Sequence, residues 1–313
     1  AGDAFITSSK IVKGLPLRGG GQNPAGLLWT LDSLIRTYYT GGPEVFAFDT
    51  ISSSSSIIAA NSVIEYDGIY FWVGDGRFMM YNGVVREVPN NMNINYFFDG
   101  LNLPFANKIF AYKVPRFGEI WWCYPRGTAT ECTHAVIYNI RENTWYDTEL
   151  PNEGRSAGRF ATVYQFPILT GVKQEAGSYK MWQHEFGVDE VDGAATNSIP
   201  SFFQTADISF VADQNQARNR SMRCALIEPD FIQSGDMTVQ ITGRANARAP
   251  EVTTDEHVFT DQANIVQPYQ QVVFFKETRR EMRFIFKSNE VGGNYQMGQC
   301  IAHIEVSDGT VLG

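Results

Sequence analysis

The chain has 313 residues, 43% apolar and 19% charged, and 34 acidic against 25 basic side chains leave a formal charge of −9. A chain of this size can bury about three quarters of its unfolded surface, enough for a full core, while 28 glycines, 13 prolines and 13% aromatics exclude a coiled coil, a collagen and a disordered polymer. No apolar run approaches the ~20 residues of a membrane-spanning helix, and neither half of the chain carries the basic footprint of a protein that grips nucleic acid by its phosphates.

Short runs of Val, Ile, Tyr, Phe and Trp bounded by Gly, Asn and Asp turns recur along the sequence and predict strands and hairpins. Ser33 to Tyr39 and Glu44 to Ile51 flank Gly41-Gly42, a hairpin turn, and Ser52 to Ser56 reads as a polar loop. Ser62 to Val88 holds four strands: Val63 to Tyr66, Ile69 to Val73, Arg77 to Tyr81 and Val84 to Val88, separated by Asp67-Gly68, Gly74-Asp75-Gly76 and Asn82-Gly83. A second meander follows in Lys108 to Val114, Glu119 to Tyr124, His134 to Ile140 and Thr144 to Thr148. A third is read at Ala161 to Gln165, Pro167 to Lys173, Tyr179 to Phe186 and Val188 to Val191, and Gly26 to Ile51 supplies a partial fourth. Units of roughly 45 to 50 residues, each unable to bury both its faces alone, match the period of four-stranded propeller blades.

After Ser198-Ile199-Pro200 the strands lengthen and become more polar: Phe203 to Val211, Arg223 to Gln233, Met237 to Gly243, Gln271 to Phe275, Glu281 to Lys287 and Gly298 to Val306. Ser234-Gly235-Asp236 reads as a hairpin turn, alternation from Met237 to Ile241 places Met, Val and Ile on one face, and Gln214 to Arg220 and Ala245 to Asp255 read as exposed loops. The expected fold is all-β, a propeller-like array of four-stranded meander blades over residues 1–200 followed by a β-sandwich domain over 201–313.

Motifs for chemistry are sparse. Cys123, Cys132, Cys224 and Cys300 lack zinc spacing and read as buried thiols, although a hairpin would let Cys123 and Cys132 face each other. His134, His184, His257 and His303 are isolated, so no metal or other cofactor is expected. Gly19-Gly20-Gly21 lacks the lysine of a phosphate loop and reads as a turn or linker. Asp67, Asp75 and Asp99, each followed by Gly, are explained by turn chemistry rather than calcium. No Gly-x-Ser-x-Gly or catalytic cysteine signature is present and no residue is assigned a catalytic role. Trp121, Trp122, Tyr124, Trp145 and Tyr146 could form a sugar-stacking platform, but neighbours in a strand point to opposite faces, so packing between blades is the favoured expectation. The basic clusters Arg218, Arg220, Arg223 and Arg279, Arg280, Arg283 are candidate intersubunit contacts, with Glu277 and Glu281 beside the second.

The stretch SVIEYDGIYFWVGDGRFMMYNGVVREVPNNMNIN, Ser62 to Asn95, resembles the propeller blades of tail nozzle or hub proteins of short-tailed bacteriophages. The turns Asp67-Gly68, Gly74-Asp75-Gly76 and Tyr81-Asn82-Gly83 and the aromatic run Tyr70 to Trp72 carry the likeness. Asn23-Pro24-Ala25-Gly26 before Leu27-Leu28-Trp29 is similar to the family's lead-in to its first blade, and Arg283 to Asn289 and Gly298 to Ile301 to its closing strands. Val136 to Asn139 with Thr144-Trp145-Tyr146 is also similar to kelch blades, but the upstream diglycine of kelch is missing there. The resemblance implies a virion structural protein, assembled in the host cytoplasm as a homohexameric ring. The ring would continue the portal and adaptor channel, neighbour tail-fibre or spike proteins, and retain and conduct double-stranded DNA without specific binding. In that setting Asn90, Asn91, Asn93, Asn95, Glu185, Asp189, Glu190 and Asp192 are candidate lumen or loop residues, since an acidic lumen repels the DNA backbone. A glycan-binding or glycan-hydrolysing propeller and a monomeric protein-binding propeller are the rival expectations.

Overall fold

The computed structural model describes residues 6, 9–18, 24–90, 94–209, 221–261 and 272–306. Gly19-Gly20-Gly21, Asn23, Asn91, Asn93, the loop at 214–220 with Arg218 and Arg220, and Gln271 lie outside the described residues. The chain is all-β, 59% strand and 4% helix, with several antiparallel four-stranded sheets. It forms two compact units, Ala1–Phe186 and Gly187–Gly313, so the division falls before the change of pattern at residue 200.

The first unit contains four successive meanders. The first sheet runs β1 (Ile11–Pro16), β2 (Ala25–Thr30), β3 (Leu34–Tyr39), β4 (Phe46–Ser52), and the second β5 (Ile64–Tyr66), β6 (Ile69–Gly74), β7 (Arg77–Tyr81), β8 (Val85–Glu87). The third runs β9 (Phe110–Val114), β10 (Glu119–Tyr124), β11 (His134–Asn139), β12 (Thr144–Glu149). The fourth has three strands, β13 (Arg155–Phe160), β14 (Pro167–Glu175) and β15 (Ser178–Gln183). Strand order follows chain order in each of these four sheets, as short antiparallel connections dictate. Between β5 and β6, Asp67 and Gly68 both take positive φ, 48° and 82°, the left-handed pair that matches the strand twist in a two-residue turn.

Consecutive sheets share cores. Leu27, Trp29 and Leu34 of the first meet Tyr70, Trp72, Met79 and Tyr81 of the second. Phe71, Val73 and Phe78 of the second meet Ile120, Trp122, Tyr138 and Trp145 of the third. Phe110, Tyr112, Trp121, Cys123 and Ile137 of the third meet Leu169 of the fourth. Trp121 and Trp122 thus cover opposite faces of β10, and every residue of that strand is buried. Indole N–H groups satisfy backbone carbonyls in these cores: Trp72 Nε1 donates to Ser56 O (3.0 Å), Trp122 Nε1 to Ser62 O (2.9 Å) and Trp145 Nε1 to Pro89 O (2.8 Å).

Three expectations need correction here. A short helix α1 (Ile94–Gly100) and a 3-10 turn (Leu103–Lys108) link the second and third sheets, burying Phe97, Leu101 and Ala106 in their core. Asp99 therefore lies within a helix rather than in a turn, and Asn95 is helical, not in a loop. The first strand of the fourth sheet is Arg155–Phe160; Ala161 to Gln165 forms the turn after it, where Gln165 has φ +62°.

In the second unit β16 (Asp189–Asp192) and β17 (Ala195–Ser198) make a two-stranded ribbon, so the strand expected at Val188 to Val191 does not complete the fourth sheet. Next come β18 (Ser201–Gln204), β19 (Ile208–Ser209), β20 (Met222–Ser234), β21 (Met237–Arg244), β22 (Val252–Thr253), β23 (His257–Phe259), β24 (Val273–Arg279), β25 (Glu281–Ser288) and β26 (Asn294–Val306). β18, β19, β25, β21, β22 and β23 form one sheet and β24, β20 and β26 the other; Met222, Phe231, Val239, Ile241, Phe275, Phe284 and Phe286 from both share one core. Met237, Val239 and Ile241 do line one face. Ser234-Gly235-Asp236 is not a hairpin turn, however: β20 and β21 belong to different sheets, and Gly235 at φ +74° carries the chain across.

Candidate functional site

Of the expected interface arginines, Arg223, Arg279 and Arg283 lie on β20, β24 and β25, Arg280 lies in the bend between β24 and β25, and Arg218 and Arg220 lie outside the described residues. Along β25, Met282, Phe284 and Phe286 point inward and Arg283 outward. Arg283 Nη2 meets Glu251 Oε2 at 2.5 Å and Nη1 meets Asp207 Oδ1 at 3.2 Å, while Arg244 joins the same Glu251 at 2.8 Å and Glu281 at 3.4 Å. Hydrogen bonds from the two guanidinium groups hold the Glu251 carboxyl down at about 2. Arg279 pairs with Glu277 at 2.6 Å, Arg280 donates its backbone N–H to Arg244 O at 2.8 Å, and Arg223 is exposed on β20. Arg244, Glu251 and Asp207, which complete this network, were not singled out from sequence.

The acidic candidates separate. Asp189 accepts the Gly292 N–H on both oxygens (2.8 and 2.9 Å), which ties β16 to the second unit; Glu190 accepts from Asn197 at 3.5 Å, and Asp192 ends the strand. Asn90 is half-buried after β8 and Asn95 is exposed on α1. Glu185 belongs instead to the first unit, in a polar cluster where the third and fourth sheets meet.

Several strongly shifted groups lie in that cluster. Glu119 is 7% exposed at the start of β10, and its oxygens accept from Trp121 Nε1 (3.0 Å) and from the Tyr146 hydroxyl. Burial, then the Glu119 carboxylate, push the Glu185 carboxyl up to about 7. The Tyr112 hydroxyl is buried and has no hydrogen-bond partner among the described residues; its phenol is driven upward chiefly by burial, then by Cys123, Glu185 and Glu119.

Beside it, Arg155 is 2% exposed, donates from Nη1 to Pro151 O (2.7 Å) and Gly154 O (2.9 Å), and lies 4.7 Å from the Trp182 ring centre. Its Nε donates to His184 Nε2 at 3.1 Å, which requires a lone pair there and a neutral imidazole; burial and then the Arg155 charge take His184 down to about 3. Cys123 and Cys132 lie in the same core as free thiols, both raised by burial, Cys132 to about 12, so neither is a ready nucleophile. The arrangement can hold one proton near neutrality on Glu185. Glu119, Arg155 and His184 come from separate parts of the sequence, and their convergence had no local signal.

Among the described residues no group of three or more His, Cys, Asp or Glu side chains is placed to hold a metal ion. A cleft of about 160 Å³ in the second unit is lined by Asp236, Thr238, Glu256, Val258, Lys287 and Glu290. Lys287 Nζ spans Glu256 and Gln240 there, 2.7 Å from each, and Glu290 accepts the Asp236 N–H at 2.9 Å. No protein-family model matches the chain, and no curated protein matches it.

Proposed function

We propose that the protein is a virion structural component of the tail nozzle or hub of a short-tailed bacteriophage. In this reading the four sheets of the first unit are propeller blades, the second unit is a β-sandwich, and copies assemble into a ring of six that continues the portal channel. The observation that supports it is the serial sharing of cores: each sheet packs its aromatic residues on the next, which is how blades fill the space around an axis. A formal charge of −9 suits a conduit that DNA must traverse without sticking. The ring would meet the portal or adaptor on one side and fibre or spike proteins on the other, and its work is mechanical rather than catalytic.

Proteomics and imaging of purified particles test this: the chain is expected in the tail at a fixed copy number per portal, and its absence from particles would overturn the assignment. A second reading, a glycan-acting propeller, is favoured by Glu119 and Glu185 beside Trp121 and Tyr146. It predicts hydrolysis of a host glycan that Glu185→Gln abolishes.

A further inference from the structure

Two carboxyl groups of the first unit face each other where the third and fourth sheets meet, and neither is paired with a lysine or arginine among the described residues. Glu119, at the start of β10, accepts from Trp121 Nε1 at 3.0 Å and from the Tyr146 hydroxyl, one donor on each oxygen. Glu185, just after β15, forms no hydrogen bond or ion pair among the described residues. The guanidinium of Arg155 is engaged elsewhere, by Pro151 O, Gly154 O and His184 Nε2. A third group is unmatched. Tyr112, on β9, is 1% exposed, its hydroxyl has no partner among the described residues, and its ring stacks on Trp121 with centres 5.4 Å and planes 26° apart. Both carboxyls act on that phenol, as they do on Tyr146 of β12, so the unused oxygen of Tyr112 belongs to the same cluster. A buried hydroxyl without a partner carries a cost that a ligand can remove.

We infer that this cluster is a binding site for a primary ammonium group on an alkyl chain, held by Glu119 and Glu185 with the Tyr112 oxygen as a third acceptor. The inventory of groups selects that class. Carboxylate and phenol oxygens supply acceptors, and an ammonium brings three donors and one positive charge to them. An anion would be repelled. A calcium ion asks for six to eight oxygens, more than this cluster offers, and no group of three metal-binding side chains assembles among the described residues. Tyr146, 39% exposed, connects the cluster to solvent and offers a π face to an arriving cation. The inference does not rest on the tail assignment. The glycan reading draws on the same carboxyls, and the charge of the ligand separates the two.

The test titrates the full-length chain calorimetrically with 1,4-diaminobutane and, in a second arm, with Nα-acetyl-lysine methylamide. One site per chain with a Kd of about 1 mM or below is expected at pH 8. The tighter of the two identifies a free diamine or a protein lysine as the source. Of the groups facing the site beside Glu119, Tyr112, Tyr146 and Cys123 are raised by burial, His184 is neutral down to about 3 and Arg155 stays charged, so Glu185, at about 7, is the group that must give up a proton. Affinity should therefore rise about tenfold from pH 6 to pH 8, and heats in two buffers should show about one proton released per amine bound at pH 6. Glu185→Gln should weaken binding about tenfold at pH 8 and abolish the proton release. Tyr112→Phe, which removes only an unmatched hydroxyl, should weaken it about threefold without lowering the unfolding midpoint. Glu142→Gln, the same change of charge in an exposed turn, should leave it unaltered. Absence of saturable binding by either amine at pH 8, equal binding of n-butanol, or a loss in Glu142→Gln matching that in Glu185→Gln overturns the inference. Each of those results leaves the tail assignment, which particles decide, standing.

Discussion

Glu185 and His184 are consecutive residues whose protons respond to burial in opposite senses, and together they set a pH profile for the first unit. The folded chain keeps a proton on Glu185 up to about pH 7, against an ordinary value of 4.5. Between those limits the folded state binds more protons than the unfolded one, so stability falls as pH rises, by roughly 3 kcal/mol in all at about 1.4 kcal/mol per pH unit. His184 stays neutral down to about 3 against an ordinary 6.5. There the unfolded state binds the extra proton, so stability is lost as pH falls through that window, by roughly 5 kcal/mol at its lower end. From pH 4.5 to 6.5 the two slopes cancel and this pair contributes a plateau. Glu185→Gln should remove one slope, so that its stability relative to the natural chain grows by about 3 kcal/mol between pH 4.5 and pH 8. His184→Gln should leave the falling limb. All six tryptophans, Trp29, Trp72, Trp121, Trp122, Trp145 and Trp182, lie in the first unit, so urea unfolding followed by tryptophan fluorescence reports on that unit alone. Parallel stability curves for Glu185→Gln and the natural chain across pH 4.5 to 8 would refute the reasoning.

Three further outcomes follow from packing and charge. A Cβ at Gly158 would lie 2.6 Å from Leu169 Cγ and 3.1 Å from Phe110 Cε2, so Gly158→Ala should cost about 1–3 kcal/mol of first-unit stability by the same assay; an unchanged midpoint would show that the third and fourth sheets do not press together there. Trp122→Ala empties the second core and leaves Ser62 O without its donor, with an expected loss of about 3–5 kcal/mol, and Trp122→Phe should lose less; equal losses would mean the ring volume contributes little. Arg283→Ala removes the first of two guanidinium groups on Glu251, and a carbon-detected NMR titration should show the Glu251 midpoint moving up from about 2 while Arg244 keeps it below 4.5; an unmoved midpoint contradicts the pairing.

The strands were legible where turn chemistry and alternation are both local. Asp67-Gly68, Asn82-Gly83 and the diglycine at 41–42 mark hairpins because few residues tolerate positive φ, and each has strands close on either side. The helix at Ile94–Gly100 was not legible: seven residues give less than two turns of periodicity, and its burial of Phe97 depends on the sheets it lies between. Gly235 misled for a related reason. A glycine at positive φ closes a hairpin or carries a chain between sheets equally well, and only the partners of β20 and β21 decide which. By composition β16 looks like another blade strand, while the hydrogen bonds from Gly292 to Asp189 join it to the second compact unit.

The candidate site was less legible than the fold, and the reason is physical. Arg283 and its neighbours could be picked out because arginines on alternating strand positions mark one face, but whether that face is free depends on Glu251 and Asp207, which arrive from other strands and loops. For Glu185 the sequence suggested an exposed acid in an acidic stretch. Its environment comes from burial and then from Glu119 across the join of two sheets, and together these raise the carboxyl to about 7. A charged residue in a β-rich chain therefore reveals little by its own neighbours in sequence, since the cross-sheet partner sets both its proton and its exposure. Seen this way, the open β15 edge and the Glu119–Glu185 pair have one origin. The first is the outer strand of the last sheet among the described residues and the second forms where that sheet meets the third, so both arise where the series of sheets that cover one another stops.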